Sequence, residues 1–325
     1  MQKREIGRTG LSIAPLVFGG NVFGWTIDEQ QSFTVLDAFV DHGFGAIDTA
    51  DVYSAWAPGN SGGESETIIG NWLKSRPGLR EKVTLFTKVG SDLGQPGQKG
   101  LSAKWITEAV ESSLRRLGVD SIDVYFSHWP DPDVPYGETL GAYGKLLESG
   151  KVKAIGASNL DSVQLADSLA VARDQGLPRY EVLQPEYNLY DRSSFDGDLR
   201  DLCIGEGLGV VTYFSLASGF LSGKYRSQDD LGQSRRGEGI AKYLNGRGEA
   251  ILGALDEVSE RHRAQPAEVA LAWLMARKGV TAPIASATRV PHVESFARAA
   301  ELPLTREDLS RLETASAPEQ APAAA

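Results

Sequence analysis

The sequence has almost no cysteine, little histidine and no long apolar run. Cys203 stands alone among 325 residues, so no intramolecular disulfide can form and no cysteine-built zinc site exists. The four histidines (His42, His128, His262 and His292) lie far apart, with none of the short spacings that hold a catalytic zinc, so no metal is expected. No apolar stretch approaches the roughly 20 residues that span a bilayer. The opening Met-Gln-Lys-Arg-Glu lacks the apolar segment of a secretory signal, which leaves the cytoplasm as the expected location. Basic charge is in deficit: 33 Lys and Arg against 43 Asp and Glu give a net charge of −10. Nucleic acids and anionic membranes require a basic face, so neither is an expected partner, although a local basic pocket for an anionic ligand stays open.

What is present reads as a folded domain. Hydrophobic residues make up 41% and charged residues 23%, the balance of an ordinary globular protein. Lys3–Ile13 predicts a hairpin around the turn Gly7-Arg8-Thr9-Gly10. After it, eight short apolar runs alternate with longer amphipathic segments. The runs are Leu16–Phe18, Ala46–Ile47, Val83–Thr87, Ile122–Phe126, Ala154–Ala157, Glu181–Gln184, Val210–Tyr213 and Ala282–Ala285. Helical patterns fill Asp28–His42, Glu64–Lys74, Ala103–Leu117, Glu138–Leu147, Ser162–Gln175, Leu199–Glu206, Gly248–Arg261, Ala267–Lys278 and Pro291–Ala300. In Ala103–Leu117, Ile106, Val110, Leu114 and Leu117 share one helical face, with Ser102 placed as N-cap and Gly118 as the terminating glycine.

Strands that are apolar on both faces and separated by helices point to a parallel sheet covered on both sides. No glycine-rich dinucleotide fingerprint follows the first run, which favours a closed (β/α)8 TIM barrel over an open sheet. One domain over 1–325 is expected, with 316–325, rich in Ala and Pro, as a frayed tail. Ala55–Gly63 reads as a loop. Ser218–Gly248 reads as a long insertion carrying Lys224, Arg226, Arg235, Arg236, Lys242 and Arg247. Its segment Gly219–Tyr225 superficially suggests a phosphate-binding P-loop, but it is one residue short and ends in Tyr where Ser or Thr is required.

Active groups of such a barrel stand where strands end. Asp48, Tyr53, Lys88 and His128 follow the second, second, third and fourth runs, which directs all four to one mouth. The segment Gly45-Ala46-Ile47-Asp48-Thr49-Ala50-Asp51-Val52-Tyr53, with Gly63-Glu64-Ser65-Glu66, resembles the signature of the aldo-keto reductase family. The resemblance continues through Thr87-Lys88-Val89, Ser127-His128-Trp129, Gly156-Ala157-Ser158-Asn159, Gln184-Pro185-Glu186-Tyr187-Asn188 and Tyr213–Tyr225. It runs from about Arg4 to Leu312 and is similar to the branch that includes potassium-channel β subunits.

That resemblance implies an NADP-dependent reduction of an aldehyde or ketone, with Asp48, Tyr53, Lys88 and His128 as the catalytic tetrad. Tyr53 is then the general acid, Lys88 is expected to lower its pKa, Asp48 to pair with Lys88, and His128 to orient the carbonyl. The cofactor NADP (NADPH) is expected to contact Gly20, Asn21 and Asp48. Ser158, Asn159 and Gln184 would hold its carboxamide, with Tyr213 stacked on the ring. Its pyrophosphate would meet Ser215, Leu216, Ser218, Gly219, Leu221, Gly223 and Lys224. The 2′-phosphate site maps to Ser286, Thr288, Arg289 and His292. Three positions depart from commoner versions: Ser286 replaces Gly, His292 replaces Gln and Phe296 replaces Asn. Phe23, Trp25, Trp56, Trp129 and Tyr190, with Tyr53 and His128, are the candidate walls for a small carbonyl substrate. Two alternatives are a nucleotide-sensing regulatory subunit with slow turnover and a barrel glycoside hydrolase built on Asp48 and Glu186. The hydrolase reading leaves Lys88 and Tyr53 without a role.

Overall fold

The computed structural model describes residues 1–233 and 237–317. Arg235, Arg236 and residues 318–325 of the expected tail lie outside the described residues. Strands β1 (Arg4–Glu5) and β2 (Ser12–Ile13) form the antiparallel hairpin. Eight parallel strands then close into a barrel: β3 (Val17–Gly19), β4 (Ala46–Asp48), β5 (Thr84–Val89), β6 (Ile122–Ser127), β7 (Val152–Ser158), β8 (Val182–Gln184), β9 (Gly209–Thr212) and β10 (Ala282–Ala285). β10 pairs with both β9 and β3, so the sheet has no edge, and the expected (β/α)8 TIM barrel is the fold.

Helices α1 (Glu29–Asp41), α2 (Glu64–Lys74), α3 (Ala103–Leu117), α4 (Tyr136–Glu148), α5 (Ser162–Gln175) and α6 (Asp198–Glu206) follow successive strands. Helices α7 (Gly246–His262) and α8 (Pro266–Ala276) precede β10, and α9 (Val290–Glu301) follows it. The capping reading of α3 holds: the Ser102 side chain accepts from Trp105 N, and Gly118 closes the helix at φ 63°. One further helix, α10 (Arg306–Ala315), was not expected; its signal is Thr305 with Asp308 three residues on, a reciprocal cap at its start. The described part of the insertion after β9 is not a bare loop but folds into short 3₁₀ turns at Ala217–Ser222, Gln228–Gln233 and Gly237–Tyr243.

Strand alternation sorts the barrel into two cores. Leu85, Tyr125, Ile155 and Leu183 point outward and pack in the layer beneath the helices. Val17, Ala46, Phe86, Val124, Phe126, Ala154, Val182 and Val211 fill the interior, and Ile6 and Ile13 of the hairpin join that cluster. Gly156 is required here, because a Cβ at that position would sit 2.4 Å from Phe126 Cε1. The same two-residue period carried to the strand ends places Gly19, Asp48, Lys88, His128, Ser158, Gln184 and Tyr213 over the apolar layers. The inward-facing residues are thus apolar up to the C-terminal end of the strands and polar there.

Candidate active site

Lys88 is the centre of this polar layer. Its side chain is 1% exposed, and its Nζ donates to Asp48 Oδ2 at 2.7 Å, to Thr49 O at 2.8 Å and to Tyr53 Oη at 2.8 Å. All three ammonium protons therefore have acceptors, as a buried ammonium requires. Tyr53 Oη in turn donates to Asp48 Oδ2 at 3.2 Å, and Gln184 Nε2 holds the other Asp48 oxygen at 2.8 Å. Asp48 is thus fixed from both sides by residues of β5 and β8. Its carboxylate is committed to an ion pair, which removes it from the hydrolase pairing with Glu186.

The Tyr53 and His128 rings meet at a centroid distance of 6.0 Å and an angle of 69°, so both half-buried side chains border one space. Burial first, then the neighbouring Asp48 carboxylate, hold the Tyr53 phenol well above the ordinary tyrosine pKa. The net direction is opposite to the one expected from Lys88, whose favourable effect on the phenolate is outweighed. The Lys88 charge is matched at contact distance by Asp48, so little net positive field is left to offset desolvation of a phenolate. Burial also lowers the pKa of Lys88, against which Asp48 acts in the opposite direction. His128 is held well below the usual histidine range by burial and then by Lys88, so its imidazole is neutral at neutral pH. Ser91 Oγ lies 3.0 Å from His128 Nδ1. With Ser91 as donor, the ring proton sits on Nε2.

Beside the tetrad, Ser158, Asn159, Gln184 and Tyr213 form one network. Ser158 Oγ donates to Gln184 O at 2.7 Å, Asn159 Nδ2 to His128 O at 2.8 Å, and Tyr213 Oη to Asn159 Oδ1 at 2.7 Å. Asn159 adopts φ 62°, a left-handed conformation that asparagine tolerates. Several of these polar atoms are already engaged by protein groups, so the network is preset in position. The following segment is conformationally unusual, with positive φ at Phe214, Ala217, Ser218 and Gly219. Ser215 and Leu221 are buried there, backbone and side chain alike.

A second cluster joins the start of α9 to the far end of that segment. Arg289 Nε donates to His292 Nε2 at 2.9 Å, Thr288 N lies 3.3 Å from His292 Nδ1, and Lys224 is close enough to act on the ring electrostatically. Arg289 and Lys224 are exposed and His292 is half-buried. At the adjoining ends of β10 and β3, Ser286 Oγ donates to Asn21 Oδ1 at 2.7 Å. Asn21 sits in the 3₁₀ turn Gly20–Val22, whose Gly20 and Val22 are buried. Phe296, which departs from the commoner Asn, is 3% exposed and belongs to the core.

The aromatic residues divide. Trp56 and Trp129 are about half exposed, at 49% and 50%. Trp129 stacks on His128 at 13°, and Trp56 meets Tyr53 and Trp25 edge to face. Phe214, not anticipated, is exposed next to Tyr213. One expected wall, Phe23, is misplaced, and another, Tyr190, is half-buried. Phe23 is fully buried and stacks on Phe18 in the core. Tyr190 packs against Phe220 and Tyr243 and takes a hydrogen bond from Asn245, so it anchors the insertion. Residues that sequence reasoning missed include Ser91 behind His128 and a buried ionic cluster in which Glu66 accepts from Thr87 Oγ1 at 2.6 Å and Arg116 Nε at 2.7 Å. Asp51 is 1% exposed, and neither of its carboxylate oxygens has a hydrogen-bond partner. No His/Cys/Asp/Glu group suited to a metal occurs among the described residues, and no described helix is long and apolar enough to cross a membrane.

A sequence model described as the Aldo/keto reductase family matches residues 15–317. The chain is 33% identical over 321 residues to the uncharacterized oxidoreductase YrpG of Bacillus subtilis, covering 96% of this chain and 95% of that one. It is 30% identical over 310 residues to a probable voltage-gated potassium channel subunit beta of Arabidopsis thaliana, covering 93% and 92%. A short protein of Pseudescherichia vulneris, an uncharacterized 11.2 kDa protein in the crtE 3′ region, is 73% identical over 93 residues, 29% of this chain and 90% of that one.

Proposed function

The chain belongs to the aldo/keto reductase family and is an oxidoreductase of that family, and from this premise we propose that it is an NADP-dependent enzyme reducing an aldehyde or ketone to the alcohol. The observation that carries the reading is the buried Asp48–Lys88–Tyr53 chain with His128 facing the phenol. When bound, the nicotinamide supplies the hydride.

In this reading Tyr53 keeps its proton at neutral pH, in line with its raised pKa, and presents it to the carbonyl oxygen as negative charge develops there. General acid help of this kind is worth roughly 10²–10⁴-fold. Lys88 Nζ, 2.8 Å from the phenol oxygen, stabilises the phenolate left behind, and Asp48 holds that ammonium in place. His128 donates from Nε2 to the same carbonyl oxygen, with Ser91 fixing the tautomer. Trp56 and Trp129 shield the site from water and wall the substrate, with Trp25 behind Trp56.

The cofactor is assigned to the preset network of Ser158, Asn159, Gln184 and Tyr213, to the backbone between Ser215 and Lys224, and to the basic cluster at the start of α9. That cluster fits a phosphate monoester, since it offers Arg289, Lys224 and Thr288 N–H with no carboxylate paired to them among the described residues. A single cytoplasmic domain acting on a small molecule is part of the same proposal.

Titration of the purified protein with NADPH and NADH, followed by a panel of carbonyl compounds, tests the assignment. Tyr53→Phe is expected to bind NADPH as the parent does and to lose nearly all carbonyl reduction. Undiminished turnover in that variant overturns the mechanism, and failure of the parent to bind either nucleotide overturns the function. Similarity to the Arabidopsis protein named as a channel subunit supports a second reading, a nucleotide sensor that turns over very slowly. Turnover numbers on the best substrate separate the two.

A further inference from the structure

Both nitrogens of the His292 ring face N–H donors: Arg289 Nε at 2.9 Å from Nε2, and Thr288 N at 3.3 Å from Nδ1, with Thr288 Oγ1 at 3.5 Å from the same atom. A neutral imidazole has one acceptor nitrogen, so the ring cannot satisfy both donors. Its charged neighbours among the described residues are Arg289, on its own helix, and Lys224, from the segment after β9; both are cations, and no carboxylate pairs with the ring. Taken together, Arg289, Lys224, Thr288 N–H and His292 form a group of donors short of acceptors. Two of them reach solvent, and the imidazole lies half-buried beneath.

We propose that His292 takes up a proton as a 2′-phosphate settles among Arg289, Lys224 and Thr288, so that the preference for NADP over NAD strengthens as pH falls. The inference rests on the cofactor reading above and adds a residue that sets specificity through its charge. Without an anion, a second positive charge beside Arg289 and Lys224 is opposed; burial, then Arg289, then Lys224 all hold the His292 pKa below the usual histidine value. A phosphate dianion reverses the sign of that local field and supplies several acceptor oxygens. Arg289 is then free to turn from the imidazole to the phosphate, and the protonated ring becomes a donor to the same group. NAD carries no phosphate at that position and offers no such compensation. A glutamine at position 292 can donate to a phosphate but cannot change charge, so the departure from the commoner residue is what creates the effect.

The linkage has a definite sign. A group whose pKa rises on binding takes up a proton, so binding strengthens as pH falls towards the free-state pKa. The phosphate monoester itself begins to protonate near about pH 6, which sets the lower limit of the useful window.

The test is calorimetry of NADP⁺ and NAD⁺ binding to the intact protein between about pH 8 and about pH 6.5, in buffers of different ionisation enthalpy. For the parent, the NADP⁺ to NAD⁺ affinity ratio is expected to rise roughly three- to tenfold across that window, a single linked proton capping the change at about tenfold per pH unit. NADP⁺ is expected to bind with fractional proton uptake and NAD⁺ with none. In His292→Gln both the rise and the uptake are expected to vanish. A parent that prefers NADP⁺ at every pH, with a flat ratio and no proton uptake, overturns this inference and leaves the cofactor assignment standing. A parent that never prefers NADP⁺ overturns the cofactor assignment and the inference with it. Proton uptake that persists in His292→Gln moves the linkage to another group and also overturns the inference.

Discussion

Removing one partner of the Asp48–Lys88 pair is the most direct way to test whether that pair exists as described. Lys88→Met keeps an unbranched side chain of similar length and deletes the ammonium. Asp48, 1% exposed, then loses its contact at 2.7 Å and keeps only Tyr53 Oη at 3.2 Å and Gln184 Nε2 at 2.8 Å. Breaking a buried ion pair on one side costs about 3–5 kcal/mol, and the two surviving hydrogen bonds argue for the lower end, about 3 kcal/mol. Unfolding entropy of about 2.1 cal/mol/K per residue implies that each kcal/mol moves the melting temperature of a 325-residue chain by about 1.5 °C. Lys88→Met is therefore expected to melt about 4–5 °C below the parent. Asp48→Asn added to it removes the orphaned charge while retaining an acceptor for Gln184 Nε2, and is expected to recover about half of the loss. Scanning calorimetry on the parent, both single variants and the double variant closes the cycle. A Lys88→Met melt within about one degree of the parent refutes the buried pair. A double variant no better than Lys88→Met shows that the loss comes from packing and not from charge.

Two further outcomes probe the surroundings. Burial, then Glu66, hold the Asp51 carboxyl well above the ordinary aspartate range, so its stabilising contribution is present below the unfolded pKa and is lost as pH rises through the folded one. Asp51→Asn is accordingly expected to gain about 1–3 kcal/mol over the parent at neutral pH, an advantage that shrinks as the medium is acidified to about pH 4; equal stability at every pH, read from denaturant melts, contradicts an unpaired Asp51. At the α2–α3 contact, a Cβ on Gly70 would lie 2.1 Å from Arg116 O, a backbone atom that cannot move aside cheaply. Gly70→Ala is expected to destabilise by about 3 kcal/mol or more despite its better helix propensity, and an unchanged melting temperature would contradict that approach of the two helices.

The two halves of the site differ in how far residue types reveal them. Asp48, Lys88 and His128 are legible because each is polar where an apolar strand ends, and strand parity alone directs all three into the same mouth. Tyr53 is legible as a polar residue just past the second strand, but its role comes from the family resemblance, since the loop that returns it over Lys88 has no periodicity to read. Ser91 and Thr49 act through one hydroxyl and one carbonyl, which no pattern distinguishes from their neighbours. Phe23 is misplaced for the same reason: an aromatic in a mouth loop packs inward or outward according to neighbours that are distant in sequence. Phe23 finds Phe18 beneath it, and Tyr190 finds Tyr243 from the insertion.

The half proposed to hold the cofactor is harder still, because its segment after β9 takes an irregular backbone course. Phe214, Ala217 and Ser218 adopt positive φ without being glycine, a conformation costing on the order of 1–3 kcal/mol each that sequence does not announce. Tertiary packing has to hold them there, and the burial of Ala217, Phe220 and Leu221 beside them supplies that constraint. Ser215 and Leu221, expected as contacts by their position along the segment, are buried within it. Side-chain identity is informative again only where the segment ends, at Lys224, and across from it at Arg289 and His292. There the sequence departs from the commoner pattern by a single titratable ring.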